Sequence, residues 1–149
     1  MEAVQSMAVS AARAVEADMG IPHLIERLTQ LPDDIRRQQD LVHAARQAVE
    51  EARETLELIE ANLMAEISAA LDPRTGKPAF GNETARKAEL ARRKTLSTEY
   101  GDAARQLADA ESNLAAAQYD LELLLHRFSA VRALADLQAA RLKLIGGDN

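Results

Sequence analysis

"LDPRTGKPAFGN", residues 71–82, places two prolines and two glycines in twelve positions. No continuous helix passes through such a stretch, because proline lacks the donor a helix interior needs and glycine loosens the backbone. The sequence on both sides is rich in Ala, Leu, Glu, Arg and Gln, the strong helix formers. The stretch therefore reads as a hook joining two long helices. A short connection makes such helices antiparallel neighbours.

Upstream, Leu31-Pro32-Asp33-Asp34 supplies a turn and acidic first-turn residues, and no further breaker precedes Asp72-Pro73. This predicts a helix over 34–71. Its apolar residues form a heptad: Val42, Ala45, Val49, Ala52, Leu56, Ile59 and Leu63, drifting to Ile67 and Leu71. Before it, "PHLIERLTQL" (22–31) predicts a separate short helix with Pro22 in its first turn and a Leu24, Leu28, Leu31 stripe. Residues 1–19 predict a weakly amphipathic helix, ended by Gly20 and the Ile21-Pro22 step. The chain thus divides into short N-terminal helices at 1–31 and a helical hairpin at 32–149, with a basic hook at 72–95.

Downstream, Asn82 is a good N-cap, and Glu83 suits a helix's positive end. A basic helix is expected over 83–95. "TLSTEYGD" (95–102) predicts a break, with Ser97 or Thr98 capping a new helix. From Tyr100 the heptad is clean: Ala103, Leu107, Ala110, Leu114, Ala117, Leu121, Leu124, Phe128, Val131 and Ala135, then Gln138, Leu142 and Ile145. Gly146-Gly147 ends it. The fold class is all-α: a long antiparallel, coiled-coil-like hairpin with no sheet.

The limb after the hook exceeds the limb before it by about 25 residues. The overhang, roughly 121–145, is the most apolar part of the chain. Large side chains there are worth about 1.5–3 kcal/mol each when buried. N-terminal helices folding back, and a second copy of the chain, are both expected to cover it. Leu121, Leu124, Leu125, Phe128, Val131 and Leu134 are the candidate oligomer interface.

Composition limits the chemistry. The 149 residues fit one domain, and only 3% are aromatic. There is no cysteine, so disulfides, thiolate metal sites and a Cys nucleophile are excluded. His23, His43 and His126 lack the i, i+4 spacing of a helical metal pair. Glu50, Glu51, Glu54 and Glu57, beside Arg46 and Arg53, read as ordinary helix-surface pairs. "TGKPAF" lacks the spacing of a phosphate loop. No catalytic residue, metal or cofactor is expected, and the protein reads as a non-enzyme. No run approaches the ~20 apolar residues of a membrane span. Glu2 stands where an export signal carries positive charge. The expected location is the cytoplasm of a bacterial or phage-infected cell.

Charge is the strongest functional signal. Residues 74–94 hold seven Lys/Arg against two Glu, a net +5 that leaves −11 for the rest of a chain whose total is −6. Such asymmetry points to an anionic partner for one region. Arg74, Lys77, Arg86, Lys87, Arg92, Arg93 and Lys94 are candidates for phosphate contacts, with Phe80 as a candidate for base contact. The alternative is that these cations pair with acidic neighbours, the Glu57–Glu66 end of the first long helix among them. Phe80 can equally staple the loop to the hairpin.

The order of parts adds a resemblance. An acidic helix, a Pro/Gly hook, "NETARKAELARRK" (82–94), a second long helix and "LELLLHRFSAVRALADLQ" (121–138) resemble phage and prophage proteins of the UvsY type over residues 35–143. The resemblance implies an oligomeric recombination mediator that binds single-stranded DNA. It implies too that such a protein helps load a RecA-like recombinase in place of a single-strand-binding protein. UvsY of the T-even phages has basic residues at the end of its first long helix. Here the matching turns, "ANLMAEISAALD" (61–72), contain no Lys or Arg. DNA contact therefore falls to Arg74, Lys77 and the 86–94 cluster. Two other classes stay open: an adaptor of phage origin whose basic hook docks an acidic protein, and a regulator that caps a host protein.

Overall fold

The computed structural model describes residues 20–147. Three α-helices are found there: α1 (Ile21–Ala69), α2 (Glu83–Leu96) and α3 (Thr98–Gly146). No strand is present among the described residues, and the one β-bridge pairs Leu71 with Pro78 inside the hook. The protein is all-α. The expected helix over 1–19 lies outside the described residues.

One boundary differs from the sequence reading. Helix α1 does not begin near Pro32 but at Ile21, and it runs through Pro32 without a break. The separate helix at 22–31 and the boundary between 31 and 32 are therefore corrected. The physical reason is the apolar register. Leu24, Leu28, Leu31, Ile35, Gln38 and Val42 keep alternating spacings of four and three across the proline, and all six are buried or half-buried. Breaking the helix would rotate Leu24, Leu28 and Leu31 out of that stripe. Their burial offsets a proline cost of about 3 kcal/mol. As a result α1 is 49 residues long, against 14 residues in α2 and 49 in α3 after the hook, and the expected excess of about 25 residues shrinks to 14.

The chain forms two compact units. The first contains residues 20–40 and 119–147 among those described. Its buried residues are Leu31, Val131 and Gln138. No buried side-chain N or O atom is without a hydrogen-bond partner among the described residues.

The second unit, Leu41–Gln118, carries the hook. Its core is thin: Val42, Val49, Ile67, Leu90 and Ala103 are buried, with Ile67 at 1% exposure. The two limbs are antiparallel. Arg53 Nη2 on α1 lies 3.8 Å from Glu111 Oε1 on α3, while Lys94 at the end of α2 reaches back to Glu60. Alanine at Ala45, Ala52, Ala103, Ala110 and Ala117 occupies seam positions that are buried or half-buried, as the heptads predict.

Candidate nucleic-acid interface

The hook is an ordered turn built on Asp72. The Arg74 N–H donates to Asp72 Oδ1 at 2.8 Å, an Asx turn. The Gly76 N–H donates to the Asp72 carbonyl at 2.8 Å, and the Asp72 N–H donates to the Lys77 carbonyl at 2.8 Å. One rung further out, the Ala79 N–H donates to the Ala70 carbonyl at 2.9 Å. Gly76 sits at φ +66°, the left-handed region that glycine enters without strain. Arg74 and Lys77 flank this turn and are exposed. Phe80 is half-buried.

Asn82 then caps α2: its side chain accepts from the Ala85 N–H at 2.7 Å. The helix is short because Ser97 ends it. Ser97 is extended (φ −80°, ψ 114°), and its N–H still donates to the Arg93 carbonyl. Its Oγ accepts from the Tyr100 N–H at 3.1 Å, which caps α3. One serine thus closes one helix and opens the next, within the expected break.

The structure divides the seven cations into two groups. Four are already paired. Lys87 meets Glu83 at 2.7 Å on the exposed face of α2. Arg92 donates twice to Glu89, from Nε at 2.9 Å and Nη2 at 2.7 Å. Arg93 donates to the same carboxylate at 2.9 Å and lies 3.5 Å from Glu66 on α1. Lys94 reaches Glu60 on α1 at 2.8 Å and stands 5.2 Å from the centre of the Tyr100 ring. The Arg92 and Arg93 hydrogen bonds hold the Glu89 carboxyl at about 2, down from an ordinary 4.5. The Lys94 ammonium is pushed up, chiefly by its hydrogen bond to Glu60. Arg74, Lys77 and Arg86 form the second group, which has no ion-pair partner among the described residues.

The alternative reading paired these cations with the Glu57–Glu66 end of the first long helix, and there Glu60 and Glu66 are the residues that pair. Sequence reasoning missed Glu89 as a shared acceptor, although its spacing of three and four to Arg92 and Arg93 is a legible signal. It also missed Asp72 as the hook's organiser and Tyr100 beside Lys94.

Of the apolar candidates, Val131 is 6% exposed within the single chain. Leu121, Leu124 and Phe128 are half-buried, whereas Leu125 and Leu134 are 42% and 44% exposed. Among the described residues no cluster of three His, Asp or Glu is arranged to hold a metal, and no helix is long and apolar enough to cross a membrane. No family model matches the chain, nor does a curated protein or a solved structure.

Proposed function

We propose that this protein is a non-enzymatic recombination mediator of the UvsY-like kind. It binds single-stranded DNA through its hook, assembles with copies of itself, and assists a RecA-like recombinase against a single-strand-binding protein. The observation that supports the reading is the set of three cations without an ion-pair partner among the described residues: Arg74 and Lys77 on a hydrogen-bonded turn and Arg86 in the first turn of α2. They offer point charges to phosphates and no fixed bidentate pattern for base edges, so binding is sequence-tolerant. One subunit binds weakly, and an assembly with Leu125 and Leu134 at its contacts repeats the site and raises avidity.

The test is fluorescence anisotropy with labelled single-stranded and duplex oligonucleotides across a salt series. Single-strand preference is expected, with affinity falling steeply with salt. The Arg74→Glu, Lys77→Glu variant should bind at least several-fold more weakly with unchanged helicity. No binding at ~50 mM salt, where phosphate contacts are strong, refutes the reading.

A second reading has its own support. Glu60, Glu66 and Glu89 already occupy part of the basic surface, so that surface accepts carboxylates. An adaptor that docks an acidic protein would bind a poly-Glu peptide in preference to DNA in the same assay.

A further inference from the structure

We propose that Glu60 and Glu66 are built-in competitors for the nucleic acid: they mask Arg93 and Lys94 in the free protein, and a phosphate backbone displaces them on binding. The inference rests on the DNA-binding reading above. It converts a static ion-pair cluster into a threshold on that site.

Three observations carry it. First, the carboxylates hold positions a phosphate would take. Arg93 and Lys94 are consecutive, and each is met by a separate anion on α1, at 3.5 Å and 2.8 Å. Second, the masks are easily exchanged. Glu66 is 67% exposed and Glu60 41%, and ion pairs that wet contribute little in water. Third, α2 has other anchors. Leu90 is 8% exposed, Asn82 caps the N-terminus, and Glu89 holds Arg92 and Arg93 within the helix. Releasing Glu60 and Glu66 therefore frees Lys94 and the Nη1 donor of Arg93, whose Nε stays on Glu89, without dismantling the helix that presents them.

The consequence is graded binding. A short or isolated anion meets Arg74, Lys77 and Arg86 only. A continuous strand that follows the hook into α2 also supplies phosphates to Arg93 and Lys94, and there it replaces the carboxylates one for one. Long single strands are favoured over free nucleotides and small acidic solutes by more than length alone gives.

The test compares wild type with Glu60→Gln, Glu66→Gln by anisotropy on a labelled oligo-dT strand over a salt series. Neutralising two acids elsewhere on α1, Glu54→Gln with Glu57→Gln, controls for net charge. The masked-site variant should bind about threefold to tenfold more tightly, the range two wet ion pairs allow. Its slope of log K against log salt should stay that of wild type on the same strand, because the strand reaches Arg93 and Lys94 in both proteins. The control should bind near the wild-type affinity. Lys94→Ala should cost more affinity in the unmasked background than in wild type, a coupling that general electrostatics does not produce. Equal affinities in the two Gln variants overturn the masking and leave the DNA-binding reading intact. Absence of binding by wild type and by every variant overturns both. Circular dichroism of each variant checks that α2 is kept; if Glu60→Gln, Glu66→Gln loses helix, the two carboxylates are structural and the masking is refuted.

Discussion

Replacing Pro32 with alanine separates two descriptions of the first helix by the sign of the effect. In the structure Pro32 lies inside α1. A proline in a helix interior is about 3 kcal/mol less favourable than alanine. It removes one N–H, and its ring crowds the carbonyl four residues back, here that of Leu28. Pro32 is exposed, so its replacement removes no core packing. Alanine also loosens the unfolded chain, which takes back about 0.4–1 kcal/mol. The net expectation for Pro32→Ala is a gain of about 2–3 kcal/mol. At roughly 2–4 °C per kcal/mol for a chain of this size, the melting temperature rises by about 4–12 °C. If the helix instead began at Pro32, the proline would sit in the first turn, where its fixed φ and missing donor are favourable. Alanine would then lower the stability slightly. Thermal and urea melts followed by far-ultraviolet circular dichroism read the difference directly. An unchanged or lowered midpoint refutes the continuous helix and the register argument beneath it.

Other perturbations test the second unit. Ile67→Ala should cost about 2–5 kcal/mol in a urea melt, because Ile67 is 1% exposed; Leu71→Ala, at a residue 61% exposed, should change stability by no more than about 0.5 kcal/mol. Asn82→Ala removes the cap bond to the Ala85 N–H and should cost about 0.5–2 kcal/mol, read as faster amide exchange in the first turn of α2. Glu89 has its carboxyl lowered from 4.5 to about 2, so its contribution is present above about pH 4.5 and is lost as pH falls towards 2. Helicity of α2, followed by NMR, should decline over that window in wild type, and Glu89→Gln should lack this step; identical acid profiles would exclude the shared carboxylate as the cause. Lys94 is shifted the other way, so its contribution is complete below about 10.5 and is lost only as pH rises through its raised value.

The periodic parts of this fold were legible in the sequence because a heptad is a local signal. The positions from Tyr100 to Gln138 read as a seam are all buried or half-buried. The hook was legible through Pro and Gly, and the break at Ser97 through its capping chemistry. Pro32 misled because a local rule was weighed without the stripe on either side of it. Leu24, Leu28 and Leu31 and the stripe from Val42 were read as two patterns, when Ile35 and Gln38 join them in one register. The candidate site was legible only as a count of charges. Which cations are satisfied depends on how α2 lies against α1, and no local pattern fixes that.

The thinness of α2 explains why a run of charge overstates a binding site. An isolated helix of 14 residues is marginal in water, and Leu90 is the only buried residue α2 contributes. One large apolar side chain supplies about 1.5–3 kcal/mol. Beyond Leu90 the helix relies on the Asn82 cap and on Glu89, and its length leaves little room for apolar residues beside the hook. Lys94 and Arg93 are also met by Glu60 and Glu66, which accounts for part of the basic excess in the free protein. The salt dependence of wild-type DNA binding then measures the remainder. Seven free cations per subunit would give a slope of about −5 on a single strand, and three would give about −2, at ~0.7 per phosphate. Masking predicts a value between these limits that stays near −2 for strands too short to leave the hook and steepens for longer ones. A slope near −5 on the shortest strands would mean that Arg92, Arg93 and Lys94 are as free as Arg74, and that the ion pairs holding α2 to α1 do not persist in solution.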